Sequence, residues 1–203
     1  MDSFGDHALA CGPCGMYARH NRLRGAVAVE SELAGLPPRL EVCLPGSLVR
    51  PADLLLVEPD DTLPTAMDPS VVHPLRLSSP FAEATPGSAA AMREVDKRSS
   101  NTAGCAAQGW RFIPVAAETT GGWGPEAQQF VWALIRKQSM RSGRPVREVA
   151  AEVWPRLSSA VAKGVAQMLL HAHGAPFATC AGGAASDRIL VRVVGGPRVA
   201  GFY

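Results

Sequence analysis

Residues 52–75 read ADLLLVEPDDTLPTAMDPSVVHPL. Two short apolar runs, ADLLLV (52–57) and SVVHPL (70–75), flank an acidic, proline-bearing EPDDTLP segment. Apolar runs of this length bounded by turn residues read as strands. A third run, LEVCL (40–44), precedes them and is set off by Pro45-Gly46, and a fourth, WRFIPVAAE (110–118), follows the alanine-rich stretch 81–108. That stretch is helix-compatible after Pro86-Gly87 and stops at Gly109. Upstream, MYARHNRLRGAVAVESELA (16–34) sets Leu23, Val27 and Ala34, with Ala26 and Val29, near one helical face. The same spacing puts Arg19, Arg22 and Arg24 elsewhere, and Gly35 with Pro37-Pro38 ends the helix.

Beyond the Gly121-Gly122 turn, residues 125–141 read as a helix, and 147–173 as one or two more, broken near Pro155. The order is helix, three strands, helix, strand, then helices, which predicts an α/β core with one mixed sheet and a C-terminal helical cap. The expected organisation is an N-terminal segment over 1–15, a core over 16–142, a helical cap over 143–173 and a Gly/Ala-rich tail over 174–203. No repeat of 20 to 50 residues is present.

At 203 residues, 47% hydrophobic and 19% charged, the chain carries enough apolar surface for a buried core. Twenty basic against eighteen acidic residues leave a net charge of only +2, so any basic surface has to be local. No run of 18 apolar residues exists and the first residues carry neither a basic nor an apolar leader pattern, so the expectation is an intracellular protein without a membrane partner. Five scattered cysteines (11, 14, 43, 105, 180) disfavour a disulfide framework.

Three residues form the strongest chemical constellation: Asp53, Asp68 and Lys97. Carboxylates at the edges of neighbouring strands can share a Mg²⁺ or Mn²⁺ ion, which takes oxygen ligands and completes its shell with water and phosphate. Such an ion polarises a phosphodiester, and a lysine beside it can hold the attacking water and oppose the charge of the transition state. The plainer reading of the same residues is two aspartates at strand ends and a solvated lysine. Cys11-x-x-Cys14 with His7 and His20 has the spacing of a tetrahedral Zn²⁺ site, or is a Gly-Pro turn that carries thiols. Two basic stretches suit phosphate contacts: Arg19, Arg22 and Arg24 in the first helix, and Arg136, Lys137, Arg141, Arg144 and Arg147 further on. Solvated helix faces are the alternative. The four tryptophans read as core, and the Gly121-Gly122 turn lacks the spacing of a phosphate loop.

The blocks GDHALAC, RHNRLRGAV, RPADLLL, AMDPSVVHPL, AAMREVDKR, GWRFIPVAAETTGGWGPEA and RLSSAVAKGVAQMLL, in this order over roughly 5–173, resemble the C-terminal region of reverse-transcriptase polyproteins of non-LTR-type retroelements. That region carries a zinc-knuckle remnant and a restriction-endonuclease-like PD-(D/E)xK domain. The resemblance implies a restriction-endonuclease-like core with C-terminal helices, and Mg- or Mn-dependent nicking of target DNA. It makes Asp53 the first motif acid, Asp68 the second and Lys97 a lysine moved from the strand to the following helix. Glu118 matches a recurrent acid of the family, and His7 and Cys11 the last two ligands of a truncated knuckle. It further implies DNA, and retroelement RNA, as partners, with a nuclear location. The chain departs from the family's pattern at Pro69, after the second acid, and at Val165, where asparagine is usual. The alternatives to a nuclease are an inactive remnant that binds nucleic acid through its basic helices, and a small zinc-binding interaction module.

Overall fold

The computed structural model describes residues 16–40, 52–58, 63–74 and 85–172. Helix α1 (Met16–Leu33) leads into strands β1 (Pro38–Leu40), β2 (Leu54–Leu56) and β3 (Thr65–Val72). Helix α2 (Ser88–Ala106) crosses to β4 (Arg111–Glu118), and helices α3 (Pro125–Ser142) and α4 (Val146–Ala172) follow. The molecule is mixed α/β. Its four-stranded sheet has the order β1-β2-β3-β4, antiparallel from β1 to β3 and parallel between β3 and β4. Among the described residues no helix is long and apolar enough to cross a membrane. The tail over 174–203 lies outside the described residues.

Both faces of the sheet are covered. One side chain set, with Leu54, Leu56, Met67, Val115 and Ala117, packs on Leu23 and Val27 of α1, Val131, Leu134 and Ile135 of α3, and Val153, Leu157 and Val161 of α4. The alternate positions Leu55, Ala66 and Phe112 pack with Ala52 and with Cys105 of α2. Each fully buried aliphatic side chain contributes roughly 1.5–3 kcal/mol by leaving water. Helices α1 and α4 approach closely at Gly164, where a Cβ would stand 2.9 Å from Arg19 Cα. Trp154 joins the layers edge-on, with ring centroids 5.6 Å from Trp123 and 6.2 Å from Trp132.

Besides Pro38, which opens β1, two prolines sit within strands without breaking them. Met67 turns its carbonyl towards β2 and Val72 towards β4, where Thr119 N–H takes it up. Alternation therefore aims the ring nitrogen of Pro69 at the side where β2 has already ended. The next carbonyl on that side, Val71, is taken by the Arg19 guanidinium at 3.0 Å. Pro114 occupies the outer side of the edge strand β4, a position that needs no ladder donor. Helix α4 likewise runs through Pro155, whose ring and the Ala151 carbonyl it leaves free both lie on the solvent side. This joins what the sequence reads as a break into one helix.

Two buried glutamates fix where α2 lies. The N-cap of α2, Gly87, has φ 89° and no side chain to cap with. Glu118, at the end of β4 and 2% exposed, supplies the missing acceptor: its Oε1 takes the N–H groups of Ala89 at 3.0 Å and Ala90 at 3.4 Å. Glu94 of α2 does the same for α3, accepting from Glu126 N–H and Ala127 N–H, both at 2.9 Å, and from Ala116 of β4 at 3.4 Å. Negative charge at a helix start also meets the positive end of its dipole. Glycines make room for both carboxylates: a Cβ on Gly122 would run into Glu118 and Gly87, and one on Gly124 into Glu94. Glu94→Ala leaves three buried N–H groups without a partner, and urea denaturation should show a loss of about 3 kcal/mol.

Candidate functional site

The second aspartate comes from the middle of the sheet. Asp68 follows Met67 in β3 and so points to the α2 side, on the same face as Ala66. The first comes from an irregular strand end. Leu54 pairs with Met67, yet the N–H of Asp53 also bonds to Met67 O at 2.9 Å. Two consecutive residues then face one, the arrangement of a β-bulge, which re-aims side chains. Ala52 accordingly packs with Leu55 on the α2 side, where strict alternation would put it with Leu54. The bulge brings the Asp53 carboxyl close enough to Asp68 for each to shift the other's protonation.

Helix α2 supplies the donors. Its inward stripe runs Ala90, Glu94, Lys97, Asn101, Cys105, at spacings of three and four, apolar at both ends and polar in the middle. Lys97 Nζ donates to Asp68 Oδ2 at 2.5 Å and Asn101 Nδ2 donates to the same oxygen at 3.0 Å. Helix α1 supplies the other wall, with His20 Nε2 at 3.3 Å from Asp53 Oδ2 and the Arg24 charge nearby. Ser70 lies two residues beyond Asp68 on the same face, its buried Oγ without a hydrogen-bond partner among the described residues.

The two carboxyls are driven apart electrostatically. Burial pushes Asp68 upward, and the Asp53 charge adds to this; the Lys97 hydrogen bond and charge oppose it without cancelling it, so Asp68 ends above the ordinary range. Burial also favours a raised Asp53, but His20, then the Asp68 side chain and then Arg24 outweigh it and leave Asp53 below that range. Side chains from α1, α2 and two neighbouring strands thus meet here, with the Lys97 ammonium on Asp68 and the His20 imidazole on Asp53.

The other expected residues are distributed differently. Glu118 is committed to the start of α2, so its effect on the acidic pair runs through that helix. Arg19 is a correction to the expected phosphate-binding set: it is 5% exposed, bonded to Val71 O, and its pKa is lowered by burial. The pattern assigns it to the outer face because arginine there is the usual case, whereas here α4 closes over it. Arg22 bonds to Gln167 at 2.7 Å. Lys137 pairs with Glu58, and Arg144 with Glu152 at 2.5 Å, so these two charges of the second basic run are neutralised within the molecule. Arg141 packs its guanidinium over Gly35, while Arg136 and Arg147 are exposed. His7, Cys11 and Cys14 lie outside the described residues, and His20, the fourth member of the zinc set, stands beside Asp53. Among the described residues no group of three or more His, Cys, Asp or Glu side chains is placed to hold a metal ion.

Asn101 and the pairing of His20 with Asp53 are absent from the sequence reading. Asn101 was accessible through its position four residues after Lys97 on a helix; the His20 contact was not, since it spans α1 and β2. A separate cavity of about 280 Å³ under α3, lined by Leu56, Ile113, Phe130 and Leu134 and edged by Glu58 and Lys137, shares no residue with the acidic pair. No protein-family model and no curated protein matches the chain.

A carbon-13 titration of the side-chain carboxyls should place Asp53 below and Asp68 above the unperturbed aspartate value of about 3.9. Asp53 then contributes stability that is complete above its unfolded pKa and lost as pH falls through its lower folded value. Asp68 works the opposite way: its contribution is present below its unfolded pKa and lost as pH rises through its higher folded value. His20→Ala raises Asp53. Coincident titration of the two aspartates would contradict this account of the site.

Proposed function

We propose that the chain is a metal-dependent DNA endonuclease domain with a restriction-endonuclease-like core, hydrolysing a phosphodiester to nick target DNA as the retroelement resemblance implies. The observation that carries this reading is the convergence of Asp53, Asp68 and Lys97, residues 15 to 44 positions apart in sequence, where the start of β2 meets β3 under α2. The order helix, three strands, helix, strand supports it as well. Pro69 does not weigh against it, because that residue sits where the strand needs no donor.

The donor set fits a hard divalent cation. Two neighbouring carboxyls that each perturb the other repel unless one holds a proton or a cation lies between them. Asp53 and Asp68 would hold Mg²⁺ or Mn²⁺, with water and substrate phosphate as the remaining ligands. The ion would supply Lewis acidity at the phosphorus and neutralise charge on the leaving oxygen.

The chain's own residues do the rest. Lys97 and Asn101 both grip Asp68 Oδ2, which fixes the carboxylate plane and leaves Oδ1 for the ion. Lys97 sits at the edge of the pair, where its ammonium can orient the incoming water and oppose the negative charge on the pentavalent phosphorus. Water adds to phosphorus and gives up a proton to solvent, the P–O3′ bond breaks, and the 3′ oxygen leaves with a proton from solvent. His20 keeps Asp53 ionised and oriented. Asn101 is a positioning residue, acting through Asp68.

Nicking of supercoiled plasmid in Mg²⁺ or Mn²⁺ at low salt tests the proposal. Asp53→Ala and Asp68→Ala should abolish it, Lys97→Ala should lower it about 10²- to 10³-fold, and Asn101→Ala should weaken Mn²⁺ affinity while leaving DNA affinity unchanged. Equal conversion by the parent chain and Asp53→Ala would refute the nuclease reading.

A further inference from the structure

Helices α1 and α4 leave an open groove of about 620 Å³ between them, on the surface of the helix that also carries His20 and Arg24. Asn21, Arg22 and Gly25 form one wall and Arg156, Ser159 and Lys163 the other, and none of the described residues that line it is acidic. Arg22 is held by the neutral side chain of Gln167, so its charge is not cancelled. Lys163 is exposed and makes no ion pair among the described residues. Arg156 is anchored from below by the buried Glu30, at 2.6 and 3.0 Å. Amide, hydroxyl, guanidinium and ammonium donors therefore face one trough.

Gly25 is the second observation. It lies within α1, where glycine is a poor helix former relative to alanine, and a Cβ built on it would meet nothing within 4 Å. Gly164, in contrast, is required by the Arg19 backbone opposite it. Among the described residues no packing explains Gly25. A bare backbone on the groove wall does have a use where an outside chain has to come close.

We propose that the groove between α1 and α4 seats the sugar-phosphate backbone of the DNA, with Arg22 and Lys163 as its phosphate contacts and Gly25 as the point of closest approach. This inference rests on the nuclease reading for its choice of DNA, and it extends the substrate track from the acidic pair across α1. Contacts of this kind carry affinity and no base sequence.

The test is binding of a short labelled duplex by fluorescence anisotropy in EDTA, over a salt titration, so that cleavage plays no part. The full chain should bind with a log–log salt slope that falls by about two in the Arg22→Ala/Lys163→Ala double variant. Gly25→Ala should raise the melting temperature and yet weaken binding several-fold, a combination that a folding defect cannot produce. The assay runs without metal and without cleavage, so a loss of nicking in Asp53→Ala bears on the nuclease reading alone and leaves the groove to be judged by the Arg22, Lys163 and Gly25 variants. Unchanged slope and affinity in the double variant, a stabilised Gly25→Ala with parental affinity, absence of duplex binding by the parent chain, or preferential binding of RNA of the same sequence would each overturn the proposal.

Discussion

The placement of α2 depends on two carboxylates that never leave the interior. Glu118 reaches from the end of β4 to the first N–H groups of α2, and Glu94 reaches from α2 to the first N–H groups of α3. Together they tie β4, α2 and α3 in a closed sequence of hydrogen bonds. A helix end buried without acceptors would leave its first donors unsatisfied, and here the neighbouring elements supply the acceptors that Gly87 and Gly124 lack. The glycines are the counterpart of this device, since side chains at 122 and 124 would occupy the space of the carboxylates. Lys97 stands one helical turn after Glu94, and Asn101 another turn on. Their position over Asp68 follows from the anchoring of the helix.

The site itself sets two like groups in unlike surroundings. Asp53, at a bulge on the rim, has an imidazole and a guanidinium for neighbours and stays ionised. Asp68, deeper in the sheet, has its proton affinity raised by burial and by Asp53. Such a pair is more costly to the fold than two apolar residues would be. In the proposed site one divalent ion would satisfy both carboxylates at once. The donors from α2 occupy a single oxygen of Asp68, so the other remains available.

Much of the core was legible in the sequence. Helical spacing located α1 and α3 within a residue or so, and the Gly/Pro punctuation located α2 and β4. The strands were less legible. The pattern places the third at 70–75, whereas β3 occupies Thr65–Val72, because an aspartate and a proline in its middle hide the strand from a search for apolar runs. The first is read at 40–44, and the described strand is Pro38–Leu40, with 41–51 outside the described residues. The acidic pair and Lys97 were visible as residue types in order. What joins them was not: the bulge at Asp53, the capping by Glu118 and Glu94 and the burial of Arg19 are relations between elements, and periodicity within one element does not record them. Val29 shows the same limit, a valine assigned to the inner face of α1 that is 39% exposed.

Asp53 and Asp68 are proposed to form one cation site gripped by α2. Paramagnetic broadening by Mn²⁺ in the nitrogen-15 spectrum of the full chain tests it directly. Substoichiometric Mn²⁺ should broaden the amides around Asp53 and Asp68 and the side-chain amide of Asn101, and Asp53→Ala should abolish this pattern while the spectrum otherwise persists. Broadening centred elsewhere, or a pattern unchanged by Asp53→Ala, would contradict it.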